Sequence, residues 1–172
     1  MKKLYIFIFA MTIILMTASV QDLFAQRIVK NYNQSIGVNP IGLAFQFFNA
    51  RYEQQVSAEN SFTVDAIYWG PKSWSAFGVG GSYRWYLFQE NDKALRGFSF
   101  GPTVSIGFWS SEKNNYPGGT SLGLGADASY KWVFDGGFVV EPTFGVNFNV
   151  LKIDGLDTYP SILPGVVLGY AW

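Results

Sequence analysis

Hydrophobic and polar residues alternate almost without interruption between Leu122 and Val150. Large apolar residues occupy every second position up to Phe134, and the alternation resumes at Phe138 after the turn sequence Asp135-Gly136-Gly137. The positions between them are mainly Gly, Ser, Thr and Asn. A period of two over this length, joined by a turn with an Asp-Gly step, predicts two long antiparallel strands.

The same alternation recurs along the chain and predicts eight strands, most of them near the ~9–11 residues that a membrane-spanning strand needs. The first strand changes phase at Asn39-Pro40, and because proline cannot donate a ladder hydrogen bond we expect a β-bulge there. Beyond the hairpin rhythm, the sequence predicts no second domain and no internal repeat. The predicted strands are 35–45, 48–56, 62–68, 77–87, 98–108, 122–134, 138–150 and 162–172.

Composition places these strands in a membrane. Only 14% of the residues are charged, whereas a soluble domain usually carries ~25%, and 19% are aromatic. No stretch after the N-terminal segment reaches the ~18 apolar residues of a spanning helix. A lipid-exposed chain without such helices must close its sheet into a barrel. We therefore predict an all-β fold, an eight-stranded antiparallel up-and-down transmembrane β-barrel.

The size of such a barrel decides which face points outward. Its interior is just wide enough to be filled by side chains, so the face rich in Phe, Tyr and Trp must face lipid. A soluble lipocalin-like barrel is the alternative, but it would carry Lys and Glu on its outer face. The direction of each strand and the aromatic residues near its ends also predict two aromatic girdles, as in outer-membrane barrels. The periplasmic girdle includes Trp85, Trp132, Tyr170 and Trp172, and the outer girdle includes Tyr68, Trp69, Phe108 and Trp109.

The N-terminal segment has the features of an export signal. Lys2 and Lys3 precede an apolar run over residues 4–16, and a small residue, Ala25, is suited to cleavage. An uncleaved anchor helix is the alternative. The predicted organisation is a signal peptide over 1–25, a short periplasmic lead over 26–34 and the barrel over 35–172, with the cell outer membrane as the location.

The residue types that are missing narrow the possible functions. The formal net charge is zero, which gives no basis for nucleic-acid binding. There is no Cys to carry a lipoprotein anchor, and there is no His to activate a hydroxyl nucleophile. We therefore expect no enzyme activity, no cofactor and no metal site. An outer-membrane enzyme that acts on lipids or peptides is a further alternative, and Asp127 and Glu141 would be its candidates for a mechanism that uses carboxylates alone.

A set of charged residues falls on the face predicted to point into the lumen. Such charges are tolerated when they are paired and hydrogen-bonded, so a plug of salt bridges is one interpretation. A narrow pore for ions or small solutes is the alternative, although an eight-stranded barrel usually leaves no channel. The predicted lumen charge network consists of Arg51, Glu53, Asp65, Arg84, Asp127, Lys131 and Glu141.

The final strand, GVVLGYAW, ends on an aromatic residue, and with the export signal and the meander it resembles the small outer-membrane barrels of the OmpA/OmpX type. The segment 39–69 and the signal-peptide ending FAQ are similar to barrels of unknown function in Bacteroidota. The resemblance implies an assembly signal formed by Leu168, Tyr170 and Trp172. It also implies outer-membrane lipid, the barrel-assembly machinery and periplasmic chaperones as partners, and leaves the oligomeric state open.

Overall fold

A computed structural model describes residues 32–44, 46–70, 74–88, 95–111, 118–150 and 161–172. The predicted signal peptide, most of the predicted lead and the loop 151–160 lie outside these residues. Within the described part of the chain, no helix is both long and apolar enough to cross a membrane.

The described residues form a closed antiparallel barrel of eight strands. Each strand pairs with the next one along the chain, and the last pairs with the first. This confirms the predicted all-β up-and-down barrel. The strands are β1 (Gln34–Val38), β2 (Phe47–Gln55), β3 (Asn60–Trp69), β4 (Trp74–Phe88), β5 (Gly97–Ser111), β6 (Gly119–Val133), β7 (Phe138–Asn149) and β8 (Ser161–Ala171).

The two faces of the wall differ as the alternation predicts. Large apolar side chains point outward, and Phe77, Phe108 and Phe144 are each 54% exposed. Small polar side chains point inward, and Ser61 and Ser99 are fully buried. Because the period of a strand is two, exposed and less exposed residues alternate along most of the wall, as in β3. The barrel therefore presents a broad apolar surface to its surroundings and a polar interior.

The bulge predicted at Asn39-Pro40 is wrong, because a short helix stands there instead. After β1, the chain forms one helical turn, α1 (Pro40–Leu43). Proline favours the first position of a helix, where its missing N–H would have no partner anyway. The Asn39 side chain caps the turn by accepting a hydrogen bond of 3.1 Å from the backbone N–H of Gly42.

The assignment of Trp69 and Trp109 to the outer girdle is also wrong. Each follows an exposed aromatic residue, Tyr68 or Phe108, so by alternation it lies on the lumen side. Their ring centroids are 5.3 Å apart in an edge-to-face arrangement. The indole Nε1 of Trp109 donates a hydrogen bond of 2.7 Å to the buried hydroxyl of Ser121.

Buried apolar residues close the interior at the end that carries Tyr32 and Trp172, here called the terminal end. Val133, Val139 and Ala171 pack with Tyr32 in one cluster, each at most 4% exposed. The Arg96 guanidinium lies 5.5 Å from the centre of the Tyr32 ring. Tyr32, which belongs to the predicted periplasmic lead, is therefore part of the apolar cluster at the terminal end.

Candidate functional site

The structure brings together all seven charged residues of the predicted lumen network. They come from five strands, β2, β3, β4, β6 and β7, and their side chains are at most 15% exposed. Arg51 has the highest exposure of the seven, while Arg84 and Glu53 have none. Charges this far from water must be compensated by one another.

A ring of two cations and two carboxylates forms the centre of the network. Arg84 Nη1 donates to Glu141 Oε1 at 2.6 Å and to Glu53 Oε2 at 3.3 Å. Lys131 Nζ binds the same two carboxylates, lying 3.1 Å from Glu141 Oε2 and in direct contact with Glu53 Oε2. Each cation therefore joins both carboxylates, which ties β2, β4, β6 and β7 together across the lumen.

Arg51 links this ring to two aspartates. Its Nε donates to Asp65 Oδ1 at 2.8 Å, and its terminal nitrogens lie 3.6 Å from Glu141 Oε1 and 3.9 Å from Asp127 Oδ2. Asp127 also accepts a bond of 2.6 Å from Arg84 Nη2. The guanidinium groups, which offer several donors in one plane, thus connect all four carboxylates.

Neutral side chains that the sequence did not predict also form hydrogen bonds with the charged groups of the network. The hydroxyls of Tyr86 and Ser61 donate to Glu53 Oε1 at 2.8 Å and 2.5 Å. Lys131 Nζ donates to Ser35 Oγ at 3.1 Å, and Asn49 Nδ2 donates to Asp65 Oδ1 at 3.0 Å. These residues share the inward phase with the charges, so the alternation itself was the signal that could have identified them.

Asp127 is the least compensated carboxylate. Its Oδ1 is buried and makes no hydrogen bond, and Arg51 Nη1 and Arg84 Nε are also buried without a hydrogen-bond partner. The seven residues comprise three cations and four carboxylates, so their formal sum is 3 − 4 = −1. Arg84 is therefore the main partner of the Asp127 carboxylate, at 2.6 Å, and Arg51 is more distant, at 3.9 Å.

The reactive groups of the network are buried. The Glu53 carboxylate and the Ser61 hydroxyl are close enough for proton transfer, but both residues are fully buried. Among the described residues, no group of three or more His, Cys, Asp or Glu side chains is arranged to hold a metal ion.

The two cations of the ring belong to a short internal repeat that the sequence prediction missed. Arg84 lies in the segment Ser-Tyr-Arg-Trp (82–85), and Lys131 lies in Ser-Tyr-Lys-Trp (129–132). On the following strands, Pro-Thr occurs at 102–103 and again at 142–143. In both copies the Tyr and Trp rings contact each other, with centroid distances of 5.5 Å and 4.7 Å.

Each copy of the repeat also interrupts the sheet. Pairing between β4 and β5 passes from Ser82–Thr103 directly to Trp85–Phe100, and pairing between β6 and β7 passes from Ser129–Thr143 to Trp132–Val140. The skipped positions contain the prolines, which lack the N–H that the ladder needs. Arg84 and Lys131 therefore extend into the lumen from positions at which the hydrogen-bond ladder between neighbouring strands is interrupted.

The residues predicted as an assembly signal lie at the seam where the barrel closes. Leu168 and Tyr170 pair with β1, and the backbone of Trp172 exchanges hydrogen bonds of 3.0 Å and 3.1 Å with Gln34. The rings of Tyr170 and Trp172 stack with centroids 6.3 Å apart, and both side chains are exposed.

No protein-family model matches the chain, and no curated protein matches it. Among solved structures, it is similar to the outer membrane protein Ail of Yersinia pestis, whose backbone structure was determined in a phospholipid bilayer nanodisc. The TM-score is 0.51 at 12% identity, over 83% of this chain and 100% of that chain. At this identity, the likeness concerns the fold.

Proposed function

We propose that the protein is an integral outer-membrane β-barrel with a structural or interaction role, whose lumen is plugged by the buried charge network. The observation that carries this proposal is the position of Arg84. Its side chain is fully buried and binds three carboxylates that come from three other strands. Bonds of this kind across the lumen favour a plug over an open path for solutes.

The membrane location is supported by the outer surface. Exposed Phe, Val, Ile, Leu and aromatic side chains surround the barrel wall, and such a surface in water would be an aggregation liability. The similarity to a barrel studied in a lipid bilayer and the low charge content support the same location. A soluble lipocalin-like barrel would not carry this surface. Export by the N-terminal segment and insertion by the barrel-assembly machinery are part of the proposal.

The interior favours a plug over a pore because two groups of side chains occupy it, the charged ring and the apolar cluster. The ring of Arg84, Lys131, Glu53 and Glu141 joins four strands across the lumen, and the apolar cluster lies at the terminal end. Arg51, with 15% of its side chain exposed, is the member of the network that water reaches most. We also propose that the protein is not an enzyme, because the paired carboxylate and hydroxyl groups of the network, Glu53 and Ser61, are fully buried.

Conductance of the refolded protein in a planar lipid bilayer tests the plug. We expect the wild-type protein to insert without producing stepwise currents. Stepwise currents whose ion selectivity changes in Arg84→Ala or Glu141→Ala would overturn the plug and establish a narrow pore. Insertion is checked independently by comparing the mobility of boiled and unboiled protein in mild SDS. A protein that stays soluble without detergent and shows no mobility shift would contradict the membrane location.

A further inference from the structure

A row of inward-facing residues leads to the charge network from the end of the lumen opposite the terminal end, here called the mouth. Leu163 pairs with Gly145, Gly145 pairs with Asp127, and Asp127 pairs with Gly101. An added Cβ at Gly145 would lie 3.8 Å from the Cβ atoms of both Leu163 and Asp127, so these residues share the lumen side. Arg84 lies beside Gly101, and exposure falls along the row from 47% at Leu163 to 9% at Asp127 and 0% at Arg84. Asp127 is therefore the first charged residue on this row from the mouth.

The two oxygens of the Asp127 carboxylate have different surroundings. Oδ2 accepts the 2.6 Å hydrogen bond from Arg84 and lies 3.9 Å from Arg51, whereas Oδ1 is buried and has no hydrogen-bond partner. Two partly exposed glycines border the side of Asp127 that faces away from Arg84: Gly145 on β7 and Gly125, two residues earlier on β6. A buried carboxylate oxygen without a hydrogen bond costs free energy, because it has lost water and gained no donor. Oδ1 is therefore a free acceptor beside the part of the lumen that solvent reaches.

The two glycines shape the space next to this oxygen. At Gly145 an added Cβ would have no neighbouring atom closer than 3.7 Å, so the backbone there leaves room that a side chain does not fill. At Gly125 the hydroxyl oxygen of Thr103 lies 2.9 Å from the Cβ position, which provides a second polar group on the mouth side of Asp127. The space next to Oδ1 is here called the Asp127 pocket, and its borders are Thr103, Gly125, Asp127, Gly145 and Leu163.

The charge of the network favours a cation in this pocket. Its seven residues sum to −1, and the oxygen without a partner belongs to a carboxylate. A metal ion such as Ca²⁺ needs ~6–8 oxygen ligands, and the described side chains form no metal-binding group of three. A primary ammonium group carries one positive charge and three donors, which bond to separate acceptors without a fixed geometry. A water molecule would satisfy Oδ1 but would leave the negative charge of the network unbalanced.

We infer that the Asp127 pocket binds the primary ammonium group of a small amine. The ammonium donates to Asp127 Oδ1 and to the Thr103 hydroxyl, and the alkyl part of the amine lies toward the apolar side chain of Leu163. Because Oδ1 is shielded from bulk water, the charge-assisted hydrogen bond to it is stronger than the same bond at an exposed carboxylate. This site goes beyond the proposed plug. It does not depend on whether the lumen conducts, because the pocket lies on the mouth side of Arg84.

Titration of the refolded protein with n-propylammonium chloride at neutral pH, in uncharged detergent micelles, tests this inference. The methyl NMR signals of Leu163 report occupancy, and we expect them to shift with one saturable site. Tetramethylammonium has the same charge but no N–H group, and sodium has the charge without any donor. Both should bind at least about tenfold more weakly than propylammonium, because neither forms a charge-assisted hydrogen bond.

A pair of variants separates the free oxygen from the charge of the network. Asp127→Asn should weaken propylammonium binding at least about tenfold, because the charged acceptor is lost. Asp65→Asn is the matched control, since it removes the same charge from the network. Both Asp65 oxygens already have partners, Oδ1 in Arg51 and Asn49 and Oδ2 in Thr63. This variant should therefore retain most of the affinity.

Four results would overturn the inference: no saturable shift in the wild-type protein, equal binding of tetramethylammonium, undiminished binding in Asp127→Asn, or an equal loss in Asp65→Asn. Gly145→Val should also lose the amine, because it fills the space and leaves the carboxylate in place. If Asp127→Asn does not fold, as judged by SDS mobility, Gly145→Val replaces it in the comparison. The plug is tested separately by bilayer conductance, so failure of the amine site leaves that proposal standing and the reverse also holds.

Discussion

Replacing Arg84 by alanine should be among the most destabilising single changes in the interior. Arg84 is fully buried and makes bonds of 2.6 Å to Glu141, 2.6 Å to Asp127 and 3.3 Å to Glu53. Its removal changes the formal charge of the network from −1 to −2. The three carboxylates would then repel one another in a medium that screens poorly.

The expected loss of stability follows from the partners that each carboxylate keeps when Arg84 is removed. Glu53 keeps Lys131 and two hydroxyl donors, and Glu141 keeps Lys131 and a more distant Arg51. Asp127 keeps only the Arg51 contact at 3.9 Å. Removing one partner from a buried ion pair typically costs about 3–5 kcal/mol, and we expect Arg84→Ala to fall in that range. Arg84→Lys should lose less, because it keeps the charge but not the planar set of donors.

Urea unfolding of the refolded protein in detergent micelles, followed by tryptophan fluorescence and SDS mobility, measures this free energy. Arg51→Ala is the matched control, because Arg51 is 15% exposed and water can partly replace it, so its removal should cost less. A double-mutant cycle of Arg84→Ala with Asp127→Ala should give a coupling of about 0.5–3 kcal/mol. A loss below about 0.5 kcal/mol for Arg84→Ala would refute the view that the network holds the strands together.

Three further predictions concern the wall and the strand ends. Gly101→Ala should destabilise the barrel by at least about 1–3 kcal/mol in the same urea assay, because a Cβ there would lie 1.7 Å from the Tyr83 carbonyl oxygen. Gly145→Ala, whose nearest neighbour would be 3.7 Å away, should change stability by less than about 0.5 kcal/mol, and equal losses would contradict this ranking. Asn39→Ala removes the cap of α1 and should lower the unfolding free energy by about 1 kcal/mol, whereas an unchanged value would mean that α1 adds nothing. Trp172→Ser should reduce the heat-modifiable protein recovered in the outer-membrane fraction of an expressing cell, and undiminished recovery would remove Trp172 from the assembly signal.

The sequence allowed most of the fold to be predicted because a strand has one strong signal, its period of two. The number of strands, the outward face and the seven inward charges all follow from that period and from the limited volume of the lumen. The network partners Tyr86 and Ser61 are on the same face, but a neutral residue in the inward phase does not stand out until its contacts are known.

The features that were missed depend on short or local interactions. α1 has four residues, too few to show a helical period, and its formation depends on Asn39 and Pro40. Trp69 and Trp109 were assigned by their distance along the strand and not by their phase, which placed them on the wrong face. The ladder interruptions at Pro102 and Pro142 leave the alternation unchanged, so hydrophobic pattern alone carries no sign of them.

The ring of four charges has a consequence for the order of events during folding. Lys131 contacts Glu53 and Ser35, which lie 78 and 96 residues earlier in the chain, and Arg84 bonds Glu141, 57 residues later. The complete ring can form only when β2, β4, β6 and β7 face one another across the lumen. Contacts that are absent from the transition state affect the unfolding rate more than the folding rate. We therefore expect variants of the ring to insert at nearly the wild-type rate and to unfold faster. The ring would then slow the unfolding of the closed barrel without speeding its formation.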